Sequence, residues 1–226
     1  MNNRTRKRLI KFAGGHWMAL IPKRNQLSAF LFKRILKLKH DIVVGYGVVI
    51  AGHHGTSKYF QKIYETGIDV GENCHFAENT NIDTTGNVTI GNNVFFAEDT
   101  LVYTHGHHLN SVTKGNDKSF VIPNSIVIED NVHIGARAVI LNSCTHIGKG
   151  AQIGAGSVVR QNIPPYTMVI GNPAKIVGLS MTVDQILEFE TLKYPEDKRM
   201  SREELEKMYQ KYFLNRVKDI AKFVKQ

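Results

Sequence analysis

Large aliphatic and aromatic residues recur along this chain at every sixth position. The series run Val44 and Ile50; Val70, Phe76 and Ile82; Ile90, Phe96 and Val102; Ile128, Ile134 and Ile140; Ile147, Ile153 and Val159. A small residue commonly follows the anchor, as at Gly71, Ala77, Gly91, Ala97, Gly135, Gly148 and Gly154. A helix needs apolar residues at spacings of three and four, and a half-buried strand alternates. A six-residue period fits neither. It fits a short strand plus a turn, repeated three times to close a triangular coil. Each anchor then points inward and stacks on its equivalent one coil away, at about 4.8 Å. The runs Gly71-Glu72-Asn73, Gly91-Asn92-Asn93 and Glu129-Asp130-Asn131 supply corner residues that tolerate turn conformations. One repeat cannot bury its own apolar face, so stacked neighbours supply the core. The expected fold is mainly β, a hexapeptide solenoid of parallel strands.

Two flanking segments carry a different pattern. Residues 1–40 read as a basic, helical N-terminal segment, with Phe30, Leu31, Ile35 and Leu38 on one side of a helix. Residues 181–226 read as a C-terminal helical segment. There Ser201-Arg202-Glu203-Glu204 has the capping-box pattern, followed by Leu205, Met208, Tyr209, Tyr212 and Phe213 at helical spacing. The solenoid between them is assigned to 41–180, with a projecting loop at 109–120. Packing against the ends or sides of the coil stack is the simplest role for both flanks.

Charge sharpens this division. The chain of 226 residues carries a net +9, yet residues 1–40 hold eleven Lys and Arg and no Asp or Glu. The remaining 186 residues therefore sum to −2. A basic arm of this kind is either a solvated surface or an attraction for anionic lipid headgroups or an acidic substrate. No recognised nucleic-acid motif accompanies it, so nucleic acid is not an expected partner. No stretch approaches the roughly 18–20 apolar residues of a membrane span, and no apolar leader with a cleavage site follows the basic start. A cytoplasmic protein is expected, touching the inner face of the membrane peripherally through the arm. Cys74 and Cys144 are too few for a disulfide framework and read as buried free thiols.

The repeats of Ile-Gly form, above all from Ile126 to Val177, resemble the hexapeptide acyltransferases. The likeness is nearest to sugar and capsular-polysaccharide O-acetyltransferases of the galactoside and maltose acetyltransferase branch. It covers roughly residues 65–180. It is most specific in Ile153-Gly154-Ala155-Gly156-Ser157-Val158-Val159, Ile163-Pro164-Pro165 and Gly171-Asn172-Pro173-Ala174-Lys175. The resemblance implies a left-handed β-helix, against the usual right-handed preference. It also implies a homotrimer with active sites between subunits, and acetyl-CoA as donor to a carbohydrate or glycan-precursor acceptor, with no metal.

The rhythm breaks after Val102, at Tyr103-Thr104-His105-Gly106-His107-His108, and the loop at 109–120 then leaves the coil. A long insertion in a regular stack is an expected place for function. The family's Tyr-Thr-x-x-His pattern puts the catalytic base at His107, with His105 and His108 as neighbouring competitors. A sugar hydroxyl is a poor nucleophile at neutral pH, and an imidazole suits removal of its proton and later protonation of the CoA thiolate. The resemblance assigns the oxyanion donor to the N–H of Ala136. It assigns the pantetheine arm to Ala155, Gly156 and Ser157, and the CoA phosphates to Arg160 and Lys175. Asn79, Asn81 and Asp83, in the preceding coil, are acceptor-binding candidates or corner residues. His133 replaces the Trp common in the family's Asn-Val-Trp-Ile-Gly corner and is a further candidate at the acceptor.

Three other functions compete. N-acetylation of an amino sugar would use the same base. A zinc hydratase of the γ-carbonic-anhydrase type would draw on His53, His54, His75, His105, His107, His108 and His133. A non-catalytic trimeric scaffold would use none of them.

Overall fold

The computed structural model describes residues 42–45, 47–51, 67–107 and 121–212. The expected N-terminal helix, the loop at 109–120, His108 and Phe213 lie outside the described residues. In chain order the first strands are β1 (Val43–Val44), β2 (Val49–Ala51), β3 (Ile68–Val70), β4 (His75–Phe76), β5 (Asn81–Asp83), β6 (Val88–Ile90), β7 (Phe95–Phe96), β8 (Leu101–Val102) and β9 (His105–His107). There follow β10 (Val121–Pro123), β11 (Ile126–Ile128), β12 (His133–Ile134), β13 (Val139–Ile140), β14 (His146–Ile147), β15 (Gln152–Ile153), β16 (Val158–Val159), β17 (Thr167–Ile170) and β18 (Lys175–Leu179).

Apart from β9 with β10 and β17 with β18, successive strands do not pair with each other. They pass in turn through three sheets. Sheet 1 has the order β1-β4-β7-β12-β15-β17-β18, sheet 2 the order β16-β13-β8-β5-β2, and sheet 3 the order β14-β11-β6-β3. Pairing within these sheets is parallel except between β17 and β18. This is a parallel β-helix with one strand per sheet in each coil, as the six-residue period predicts.

The anchors occupy the interior. Phe76, Phe96, Ile134, Ile153 and Val169 stack under sheet 1, and Ile82, Val102, Ile140 and Val159 under sheet 2. Val70, Ile90, Ile128 and Ile147 stack under sheet 3, extended by a bridge to Ile163. All of these are buried, and only Val44, in the first described coil, is partly exposed. Phe76 and Phe96 lie with ring centroids 5.0 Å apart, stacked one coil on the next. Cys74 and Cys144 are buried thiols, and burial pushes the Cys144 thiol up to about 11.

The corners explain the polar half of the repeat. Between sheets 3 and 1, Asn73, Asn93, Asn131 and Gly150 have positive φ; between sheets 1 and 2, Asn79, Asp99, Arg137 and Gly156 do. Each stands two residues before the next strand and turns the chain through about the left-handed conformation that Asn and Gly accept most readily. Thr80 and Thr100 are buried at the second of these edges, and their hydroxyls donate to the carbonyls of Ala77 and Ala97 at 2.9 and 2.7 Å. No buried hydroxyl is thereby left unpaired at these two positions.

The stack is covered on one side by α1 (Val183–Lys193) and α2 (Arg202–Tyr212). A Thr182–Gln185 capping box starts α1, and Ser201 with Glu204 starts α2, where the sequence places it. Pro195 stands between the two helices, and they pack Ile186, Leu205 and Met208 around Tyr166. Tyr209 differs from the helical reading in being exposed.

Beneath α1 lies a polar clasp. Lys149 Nζ stands 2.8 Å from Glu190 Oε1, donates to the carbonyl of Lys198 at 2.7 Å and sits 4.5 Å from the Tyr194 ring centre. The Tyr166 hydroxyl donates to Glu190 Oε1 at 2.5 Å, and Met200 N–H donates to Glu190 Oε2. Burial, then the Glu190 carboxylate, pushes the Tyr166 phenol far above its ordinary range, so it remains a donor.

Candidate active site

The step from Phe76 to Phe96 is 20 residues, and from Phe96 to Ile134 it is 38. The excess leaves the coil between β8 and β11, at the edge joining sheets 2 and 3. Its base is an antiparallel ribbon of β9 and β10, with His107 opposite Val121, Gly106 opposite Ile122 and His105 opposite Pro123. Asn124 N–H donates to the Thr104 carbonyl at 2.7 Å and its side chain to the Asn142 carbonyl at 2.7 Å, tying the ribbon to the stack. Gly86 permits this close approach: a Cβ there would collide with the Asn124 carbonyl.

Asp83 is the hub of this edge. Its Oδ1 accepts from the N–H and hydroxyl of Thr85 at 2.9 and 2.5 Å. Its Oδ2 accepts from the Thr104 N–H at 2.9 Å and from His105 Nδ1 at 2.5 Å. The Thr104 hydroxyl, which accepts from Gly86 N–H at 2.8 Å, lies 3.0 Å from the same oxygen. Burial would raise the carboxyl, but the hydrogen bonds from Thr85, His105 and Thr104 outweigh it and hold Asp83 below its ordinary value. His107 is exposed, and its ring meets His105 edge to face with centroids 5.1 Å apart. His105 and His107 are two apart in a strand, so their side chains share one face of the ribbon.

The other expected site residues stand elsewhere on the same chain. Ala136, Ala155 and Gly156 line the edge between sheets 1 and 2, where Asn79 also turns, its amide donating to Asp99 at 3.0 Å. Ala155 and Gly156 are exposed, and a Cβ on Gly156 would meet nothing within 4 Å. Ser157 is buried, its hydroxyl accepting from Gly171 N–H at 3.2 Å. Asn81 is exposed on the outer face of sheet 2. His133 is exposed on sheet 1, edge to face with Phe95 at 4.9 Å, and Phe95 stacks on His75 at 4.7 Å. Arg160 and Lys175 are exposed. Asp83 is buried with both oxygens engaged, and its Oδ2 accepts from His105. Among the described residues, no group of three or more His, Cys, Asp or Glu is placed to hold a metal ion.

The sequence reading missed the Asp83–His105 contact. A signal was present: Asp83 plus one coil of 20 residues falls at position 103, two residues short of His105. The clasp of Lys149, Glu190 and Tyr166 had a weaker one, an acid four residues after Ile186 on the buried side of α1.

A family profile described as hexapeptide repeat of succinyl-transferase matches residues 125–161. A Staphylococcus aureus (strain COL) protein named "Putative acetyltransferase" is 39 % identical over 133 residues, which is 59 % of this chain and 64 % of that protein. The match thus spans less than two thirds of that relative's length. A hexapeptide-repeat acetyltransferase of Vibrio cholerae, solved with acetyl-CoA, is similar in structure at a TM-score of 0.59 and 25 % identity, covering 77 % of this chain and 89 % of that one. A maltose O-acetyltransferase of Clostridium difficile shares the fold at a TM-score of 0.53 and 24 % identity, covering 78 % of this chain and 84 % of that one. By its repeat period, its three stacked sheets and these likenesses, the β-helix of this chain is similar to the hexapeptide-repeat acetyltransferases.

Proposed function

We propose that this protein transfers an acetyl group from acetyl-CoA directly to a hydroxyl of a sugar or polysaccharide precursor, with His107 as general base. The observation that carries the reading is the ribbon that interrupts the coil and presents an exposed imidazole beside a carboxylate-bound one. His107 takes the hydroxyl proton as the acceptor oxygen attacks the thioester carbon. The new C–O bond forms, and the carbonyl oxygen becomes an oxyanion facing the Ala136 N–H. Collapse breaks the C–S bond, and the CoA thiolate receives the proton back from His107.

Topology supports an assembly. His107 stands at the edge between sheets 2 and 3, whereas Ala136, Ala155 and Gly156 stand at the edge between sheets 1 and 2. A site that unites them draws its two halves from neighbouring copies. This fits the left-handed coil and homotrimer that the family resemblance implies. The exposed Ala155 and Gly156 would let the pantetheine arm lie against the backbone, Arg160 and Lys175 would meet the phosphates, and His133 beside Phe95 would flank the arm or the acceptor. Asn79, Asn81 and Asp83 are the polar candidates for binding the acceptor.

A thiol-release assay with acetyl-CoA across sugars, nucleotide-sugars and glycan intermediates tests the reading. Turnover with a hydroxyl acceptor is expected, and His107→Ala should lower kcat by about 10²–10⁴, the usual contribution of a general base. Turnover with amino sugars alone would move the reaction to N-acetylation. Full activity in His107→Ala would remove that residue from the mechanism.

A further inference from the structure

We propose that Asp83 and His105 form a positioning pair for His107: the carboxylate locks the His105 ring, and that ring holds the His107 imidazole in one orientation. The proposal rests on the reading of His107 as general base. It concerns the contact between two histidines that the general-base step itself does not use.

Three observations carry it. First, Asp83 has little freedom. It is buried, and Thr85, Thr104 and His105 together supply donors to both of its oxygens. Such a carboxylate cannot turn without breaking several hydrogen bonds at once. Second, the His105 side chain is 13 % exposed, whereas His107 is an exposed residue at the end of β9. An imidazole on a surface ribbon loses rotamer freedom only against a neighbour that is itself fixed. The edge-to-face ring of His105 is that neighbour. Third, the ribbon is pressed onto the stack between the two histidines. A Cβ on Gly106 would stand 2.6 Å from the Asn142 amide nitrogen, and Asn142 also receives the Asn124 side chain. The backbone that carries both rings is therefore held against the stack.

The chemistry of the pair is definite. A carboxylate that accepts from four other donor contacts accepts from His105 as well, so the proton between them belongs to His105 Nδ1. His105 is thereby set in the Nδ1–H form. Replacing Asp83 by Asn presents an amide that can donate in place of accepting, which reverses the ring's tautomer while keeping the side chain's size.

The test uses the full chain labelled with ¹⁵N at histidine, compared with Asp83→Asn, His105→Ala and His105→Phe. The expected wild-type spectrum shows His105 as the Nδ1–H tautomer. Asp83→Asn should change that tautomer and move the His107 ring signals. In turnover, His105→Ala should lower kcat about tenfold, the population factor of one aromatic pair, with KM for acetyl-CoA unchanged. His105→Phe keeps a ring in the same place and should retain more of kcat than His105→Ala. His105 lies on the ribbon rather than in the coil, so its variants remain informative if Asp83→Asn does not fold.

Unchanged His107 signals and unchanged kcat in both His105 variants would overturn the positioning role, while an inactive His107→Ala would leave the general-base reading standing. Conversely, altered His107 signals in a protein whose His107→Ala variant is fully active would support the pair and sink the general base. Full wild-type kcat in His105→Phe would also overturn the proposal, because a phenyl ring lacks the hydrogen bond by which Asp83 locks position 105.

Discussion

Lys149→Met should release the C-terminal helices from the β-helix. Lys149 comes from the turn before β15, and its amine reaches Glu190 on α1, the Lys198 carbonyl and the face of Tyr194. Glu190 is 1 % exposed, so removing its cation leaves a carboxylate in the interior with Tyr166 and Met200 as its donors among the described residues. Breaking a buried pair by removing one partner costs about 3–5 kcal/mol. Lys149 Nζ belongs to a side chain that is 13 % exposed, so the lower end applies, about 3 kcal/mol. At about 1.4 kcal/mol per decade, that is roughly a hundredfold rise in the opening of α1 and α2. Amide hydrogen exchange resolved along the chain reads this directly. Amides of Val183–Lys193 should exchange roughly a hundredfold faster, while those of β12 and β13 change little. A compensated variant sharpens the logic. Tyr166→Phe with Lys149→Met and Glu190→Leu replaces the whole cluster by apolar groups and should recover most of the loss, because a well-packed apolar replacement for a buried ion pair is about neutral. Unchanged exchange in α1 for Lys149→Met would refute the clasp as the helices' anchor. A triple variant weaker than Lys149→Met would refute the charge argument and point to shape instead.

Two further outcomes follow from the interior and from Asp83. Ile134 is fully buried between Phe96 and Ile153, so Ile134→Ala should lower stability by about 2–5 kcal/mol in urea unfolding; a loss under about 1 kcal/mol would mean that the stack closes over the gap. Asp83 is held below its ordinary 3.8, so its stabilisation is complete above that pH and is lost as pH falls through the folded value. The difference in unfolding midpoint between wild type and Asp83→Asn should therefore narrow on acidification below about pH 4, and a difference constant with pH would show that the carboxylate's charge is not what stabilises this edge.

Much of the molecule was legible because the β-helix writes itself in short-range pattern. Each anchor, such as Ile134, is buried by the residues one coil above and below it, and those share its place in the six-residue period. Asn93 and Asn131 were readable as corners for the same reason, since a local turn conformation selects them. The capping of α2 by Ser201 and Glu204 was legible because both partners lie within one turn. The break at Tyr103 to His107 was visible as a failure of the rhythm. Asp83 was harder. Its polar character suited a corner, an acceptor contact and a carboxylate partner equally, and only the coil register decides among them. Glu190 and Lys149 are 41 residues apart on different kinds of element, and no periodicity relates them.

The sequence by itself determined the six-residue coil, the place where a ribbon leaves it and the residue types that the ribbon presents. These depend on the burial preference of each anchor and on turns of a few residues. Tertiary structure decided which groups meet. It joined Asp83 to His105, buried Ser157 against Gly171, set His107 and Ala136 on different edges of the triangular stack, and closed Lys149 on Glu190. The physical reason is distance along the chain. A hydrogen bond or ion pair between residues tens of positions apart is chosen by how coils register and helices dock, and the same residue types would pair otherwise in another register.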